Sequence, residues 1–97
     1  MPDPYAIQYA PQAVADVRAL VAYDRAKVVR AIELHLTYEP TRESKSRIKR
    51  MTQPFWSQYR LRVDDLRVYY DVDDPARRVN VLRVLHIGSG STPEASA

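Results

Sequence analysis

Three arginines, Arg60, Arg62 and Arg67, stand at alternating positions on either side of an Asp64-Asp65 pair. A guanidinium is planar, permanently charged and carries N–H donors spaced to match two oxygens of a phosphate. Three of them on one surface would suit a phosphodiester. The local pattern offers such a surface. In a strand over Tyr59–Val63, Arg60 and Arg62 point one way and Tyr59, Leu61 and Val63 the other. After the turn, Leu66, Val68, Tyr70 and Val72 share a face, and Arg67, Tyr69 and Asp71 share the opposite one. Paired as a hairpin, the arginines come within cross-strand reach, and their mutual repulsion favours an anion between them. The alternative is that Asp64, Asp65, Asp71 and Asp73 neutralise them, or that water does.

Cleaving a phosphodiester also needs proton transfer, for which arginine is unsuited because it stays protonated. His86, ending the run Val79–Leu85, can act as acid or base if it reaches the arginine face. Lys45 and Lys49 are the other proton carriers nearby in sequence. Together with Arg47 and Arg50 these lysines form a basic stretch suited to RNA. Trp56 shares strand parity with Gln58, Arg60 and Arg62 and can offer a ring face to a base. Tyr69 is a second stacking candidate, whereas Tyr59 has core parity. Aromatic residues in strands more often pack a core than meet a ligand.

Other chemistries find little support. Two distant histidines, His35 and His86, with no carboxylate cluster at ligand spacing and no cysteine, argue against a metal. Ser89 and Ser91 have no structured base beside them, and Gly88-Ser89-Gly90 is too short for a phosphate loop. No cofactor is expected.

Charge is unevenly distributed. From Arg42 to Arg67 there are eight basic and three acidic residues, a balance of +5, while the rest of the chain carries −2 of the overall +3. A basic middle third suits a polyanion or an acidic protein segment.

The elements that must position these residues follow from periodicity. The chain's 97 residues, 45% of them hydrophobic, suit one domain. Tyr5–Tyr9 alternates as a first strand. Gln12–Ala22 places Ala13, Val14, Val17, Leu20 and Val21 on one helical face. Asp24 then caps a second helix running to Tyr38, whose apolar stripe is Val28, Val29, Ile32, His35 and Leu36. Residues 41–54 read as a loop holding a short strand near Arg47–Met51. Arg78–His86 is a strand with Val79, Val81 and Leu85 on one side and Leu82 and Val84 on the other. The expected architecture is α+β: an N-terminal strand and a helical hairpin packed on a mostly antiparallel sheet of about four strands. It forms one domain over residues 1–88, with residues 89–97 a disordered tail. The N-terminus has no secretory pattern and no apolar run approaches a membrane span, so a cytoplasmic protein is expected.

Several of these segments in combination resemble a known family. They are Leu36-Thr37-Tyr38-Glu39-Pro40, the basic loop after it, Tyr59-Arg60-Leu61-Arg62-Val63, Leu66-Arg67-Val68-Tyr69-Tyr70-Asp71-Val72 and Val81-Leu82-Arg83-Val84-Leu85-His86. Over Tyr5–Gly88 the chain resembles the RelE/ParE superfamily, toxins of type II toxin–antitoxin modules. The resemblance implies a cognate antitoxin as partner, with an acidic segment that covers Arg60, Arg62 or the helical hairpin. It also implies one of two targets. RelE-like members cleave mRNA on the ribosome without a metal, and ParE-like members inhibit DNA gyrase. By position, Arg60, Arg62 and Arg67 match the basic residues with which RelE-like toxins hold the scissile phosphate. His86 matches a histidine in a Gly-His-Arg ending, which here reads Leu85-His86-Ile87, without the arginine. The family's C-terminal tyrosine has no counterpart after His86. The expectation is a metal-independent, ribosome-dependent mRNA endonuclease. The alternatives are a gyrase inhibitor, or a catalytically impaired toxin that still binds its antitoxin.

Overall fold

A computed structural model describes residues 3–87. In chain order its elements are β1 (Ala6–Tyr9), α1 (Pro11–Ala19), α2 (Ala22–Leu36), β2 (Ile48–Arg50), β3 (Tyr59–Val63), β4 (Leu66–Asp73) and β5 (Arg78–His86). The strands form one sheet in the order β1-β5-β4-β3-β2. The last four in sequence pair antiparallel, as their short connections require. β1 is the exception and runs parallel to β5. The sheet therefore has five strands where about four were expected. The extra one is the three-residue β2, which adds to the β3 edge through pairs such as Lys49 with Arg60.

One face of the sheet is the core. Tyr59, Leu61 and Val63 of β3 join Leu66, Val68 and Tyr70 of β4 and Val79, Val81 and Val84 of β5. Against them pack Ala13, Val17 and Leu20 from the first helical segment and Val28, Ile32 and Leu36 from the second. These six follow the i, i+3, i+4 spacing that puts apolar side chains on one side of a helix. α1 lies over β5 and β1, and α2 lies over β3. Val21, assigned to the apolar stripe by spacing, is instead 67% exposed because α1 has already ended at Ala19.

The second helix starts earlier than Asp24, at Ala22, with Val21 in the capping position and no side-chain cap. Arg25 explains the sharp break. Its guanidinium donates to the carbonyls of Val17, Arg18 and Leu20, supplying partners to the orphan carbonyls at the end of α1.

β5 departs from strict alternation. Its register with β4 slips between Tyr69 and Tyr70, so that Tyr70 faces Val81 while Tyr69 faces Arg83. One extra β5 residue, Leu82, occupies the bulge. A bulge inverts the alternation beyond it. Val84 thus joins Val79 and Val81 on the core side, and Leu85, expected beside them, falls on the other.

Long-range bonds tie the ends of the fold together. The Tyr5 hydroxyl donates to Asp74 in the β4–β5 turn, and Arg77 donates to the Asp3 carbonyl and lies over the Tyr5 ring. Tyr70 donates to the Pro40 carbonyl at 2.6 Å and pins the segment leaving α2 to the sheet. Burial raises the pKa of this phenol, so it remains a donor. Residues 89–97, expected to be a tail, lie outside the described residues, and no described helix is long and apolar enough to cross a membrane.

Candidate nucleic-acid interface

With both helices on one side, β2, β3 and β4 present their other face uncovered by helix. The register decides what that face carries. Arg62 stands directly opposite Arg67, and Arg60 opposite both Tyr69 on β4 and Lys49 on β2. Since paired residues share a face, Lys49, Arg60, Arg62 and Arg67 form two adjacent cross-strand pairs of like charge. The hairpin that creates this arrangement closes through Val63–Leu66. Its turn places Asp64 at φ 54°, a left-handed conformation that aspartate tolerates better than most residues.

The segment before β2 folds back over these cations. The Ser44 hydroxyl accepts from the backbone N–H of Arg47 and Ile48 at 3.1 and 3.3 Å, and the Ser44 N–H donates to the Ile48 carbonyl. A Glu43 carboxylate oxygen accepts the Arg50 N–H at 3.2 Å. Lys45, Ser46 and Arg47 of this tight loop line a cavity of about 120 Å³ together with Lys49, Arg60, Arg62 and Arg67. Glu43, Ser44 and Ser46 are cavity residues not anticipated from sequence. The only signal for them was a serine four residues before an apolar strand residue, a common loop feature.

The three arginines are not equivalent. Arg62 is exposed and Arg60 half-buried, whereas Arg67 is only 7% exposed. Arg67 Nη1 donates to the carbonyls of Asp64 at 2.8 Å and Leu66 at 2.9 Å, so this side chain also braces the turn. The four carboxylates considered as partners for the arginines each have other contacts. Asp64 lies 3.0 Å from Lys27 and Asp65 3.6 Å from His86, while Asp71 and Asp73 accept backbone N–H groups of Gln58 and Ala76.

Three of the anticipated residues, Arg50, His86 and Trp56, do not line the cavity. Arg50 pairs with Tyr59 and therefore lies on the core side. Its guanidinium sits 5.4 Å from the Tyr59 ring centroid and donates to the Tyr59 hydroxyl. His86 pairs with Leu66 on that same side. Its Nε2 lies 3.8 Å from Asp24 of α2, and its Nδ1 faces Asp65. The bulge at Leu82 is the physical reason. Counted by strict alternation from Val79 and Val81, His86 would share the arginine face, and the extra residue turns it away.

Trp56 is on the arginine side, through Tyr69. Its ring centroid is 4.8 Å from that of Tyr69 and 5.1 Å from that of Phe55. Tyr69 is fully buried beneath this cover, while Trp56 remains 43% exposed.

Larger hollows lie along α2, one of about 480 Å³ lined in part by Tyr23, Lys27, Arg30 and Leu34. A neighbouring hollow of about 310 Å³ contains His35, Arg42 and Arg47. Burial and, less strongly, the Arg47 charge hold the His35 pKa below its ordinary value. Volume favours these hollows, but neither concentrates one charge as the smaller cavity does. Among the described residues, no group of three or more His, Cys, Asp or Glu side chains is arranged to hold a metal ion.

Comparison with known proteins agrees with this architecture. The family model described as the ParE toxin of the type II toxin–antitoxin system parDE matches residues 7–88. Among solved structures, the chain is similar to one in the RelBE2 toxin–antitoxin complex of Mycobacterium tuberculosis. The identity is 27% and the TM-score 0.73, covering 86% of this chain and 98% of that one. It also shares its fold with a chain of the archaeal RelE–RelB complex from Pyrococcus horikoshii, at 22% identity and TM-score 0.70 over 89% and 98% of the two chains. The isolated RelE toxin of Escherichia coli gives 16% identity and TM-score 0.65 over 95% and 92%. No curated protein matches the chain by sequence.

Proposed function

The chain belongs to the RelE/ParE family of toxins of type II toxin–antitoxin systems, and from that premise we propose that it is a metal-independent, ribosome-dependent mRNA endonuclease working on its arginine face. The observation that carries this reading is the double like-charge pairing, Arg62 with Arg67 and Arg60 with Lys49, in a cavity that Lys45 and Arg47 also line. Like charges directly opposed across strands destabilise a sheet. An RNA phosphate bound over them would turn that repulsion into attraction. Preorganised guanidinium groups would also stabilise the added charge on a phosphorane-like transition state. In this reading Arg60, Arg62 and Arg67 hold the scissile phosphate, while Arg47, Lys45 and Lys49 hold neighbouring phosphates. Proton movement at the attacking 2′-hydroxyl and the leaving 5′-oxygen falls to Lys45 or Lys49, because His86 points to the helices.

The test is to express the toxin and map transcript ends. Cuts inside translated codons, lost in Arg62→Ala, support mRNA cleavage. Intact transcripts during growth arrest overturn it. The position of His86 gives a second reading some weight, since it removes the side chain best suited to proton transfer from the cavity. In that reading the toxin inhibits DNA gyrase, the target that the resemblance to ParE-like members implies, and purified gyrase would lose supercoiling activity in its presence. A toxin impaired in catalysis would do neither and still bind its antitoxin.

The solved neighbours include toxin–antitoxin complexes, which supports a cognate antitoxin as partner. The basic middle third suits an acidic antitoxin segment, folded on binding and attracted by charge. A ribosomal target would place the protein in the cytoplasm.

A further inference from the structure

We infer that Trp56, backed by Phe55 and Tyr69, forms a stacking subsite for one unpaired nucleobase, so that the arginine face takes single-stranded nucleic acid and rejects duplex. This deepens the phosphate-site reading above and rests on it. Three observations converge. First, the aromatic cluster adjoins the cations: Tyr69 is the direct cross-strand partner of Arg60. A phosphate held at Arg60 therefore has its own or a neighbouring base beside Trp56. Second, the cluster is backed rigidly. Tyr69 is fully buried in β4, and the residues after Trp56 are fastened to the sheet by Ser57 Oγ donating to the Tyr59 carbonyl and Gln58 N–H donating to Asp71. A ring already fixed in place loses little freedom when a base stacks on it. Third, among the described residues Trp56 is the one highly exposed large apolar side chain on this side. The other large apolar residues with high exposure, Val21, Tyr23, Leu34 and Tyr38, lie on or beside α2.

Alternating phosphate and base along a single strand matches cation followed by ring on the protein. Every nucleobase has a π-face, so recognition here is tolerant of sequence and strengthens with ring size. A base inside a duplex has both faces covered by its neighbours and offers nothing to Trp56.

Trp56 is the chain's only tryptophan, so its fluorescence reports the subsite directly. The intact toxin is titrated at low salt with a short 2′-O-methyl RNA, which lacks the attacking hydroxyl. Parallel titrations use an abasic oligomer of equal length and the same RNA as a duplex, with fluorescence anisotropy following labelled oligomers. Expected are saturable quenching by the single strand alone and about 10- to 100-fold weaker binding of the abasic oligomer. Trp56→Ala should weaken single-strand binding to the same degree and leave abasic binding unchanged. Trp56→Phe, which keeps a ring over Tyr69, should bind within a few-fold of the parent and controls for damage to the fold. Equal affinity for abasic and base-bearing strands, or unquenched Trp56 in an RNA-saturated protein, overturns the subsite while leaving the phosphate site standing. Absence of binding by every oligomer overturns the subsite, while the mRNA-cleavage reading, which places the RNA on the ribosome, stands or falls by the transcript map.

Discussion

At the scale of single residues, Arg62 and Arg67 differ in that the first is free to serve a ligand and the second also serves the fold. Arg62 is exposed, while Arg67 is buried and braces the β3–β4 turn. Arg62→Ala should therefore abolish toxicity with a melting temperature close to the parent's. Arg67→Ala should lose about 1.5–3 kcal/mol, the cost of removing charge-assisted bonds from a buried site, and the melting temperature should fall visibly. Loss of toxicity in Arg67→Ala alone would not separate binding from stability, so thermal denaturation of both variants is the deciding measurement. His86→Gln should cleave mRNA as the parent does, because its contacts are to Asp24 and Asp65; a severe loss in a primer-extension assay would return His86 to the site. His35 supplies a pH effect. Its folded-state pKa is lowered, so the unfolded chain takes up the proton first. Its contribution to stability is full above about pH 6.5 and is lost as pH falls. Comparing urea midpoints of the parent and His35→Gln between pH 7.5 and 5 should show a shallower decline in the variant. Strand parity alone located Arg60, Arg62 and Arg67 and the core role of Tyr59. Arg50 was grouped with Lys45, Arg47 and Lys49 by charge alone, and charge does not tell which face of β2 a residue takes.

At the scale of elements, the long alternating runs were legible and the devices that interrupt them were not. The β3–β4 hairpin and both helices followed from local periodicity. The bulge in β5 did not, since nothing in Val81-Leu82-Arg83-Val84 distinguishes it from a regular strand covered on both faces. What holds the bulge is remote in sequence. Asp16 of α1, with its side chain 10% exposed, accepts Arg83 Nε at 2.7 Å, Arg83 Nη2 at 3.1 Å and the Val84 N–H at 2.9 Å. β1 has already ended at Tyr9, opposite Val81, so Asp16 supplies the acceptor that the outer edge of β5 would otherwise lack. Asp16→Ala should cost about 1.5–3 kcal/mol. The loss should show as faster amide exchange at Val84, with the β3–β4 hairpin still protected; uniform loss of protection would mean that Asp16 serves the whole fold and not this edge. Similarly, the end of α1 was invisible because Arg25, six residues beyond it, supplies donors to its final carbonyls.

At the scale of the whole molecule, the layer architecture followed from counting amphipathic elements, because two helices need an apolar sheet face to bury. The parallel β1–β5 pair did not follow, since joining the first strand to the last is a long-range choice that no local pattern announces. That pairing has a consequence for how a ribosome produces this toxin. β5 lies between β1 and β4 and follows every cavity residue in the chain. A nascent chain that stops before Arg78 has every cavity residue but no partner for β1, and its β4 edge is unpaired. Ribosome-bound chains ending there should be cut readily by protease, and chains extended past His86 and clear of the exit tunnel should resist it. If so, the arginine face becomes a finished surface only after the ribosome has made β5, a strand that supplies none of the cavity residues.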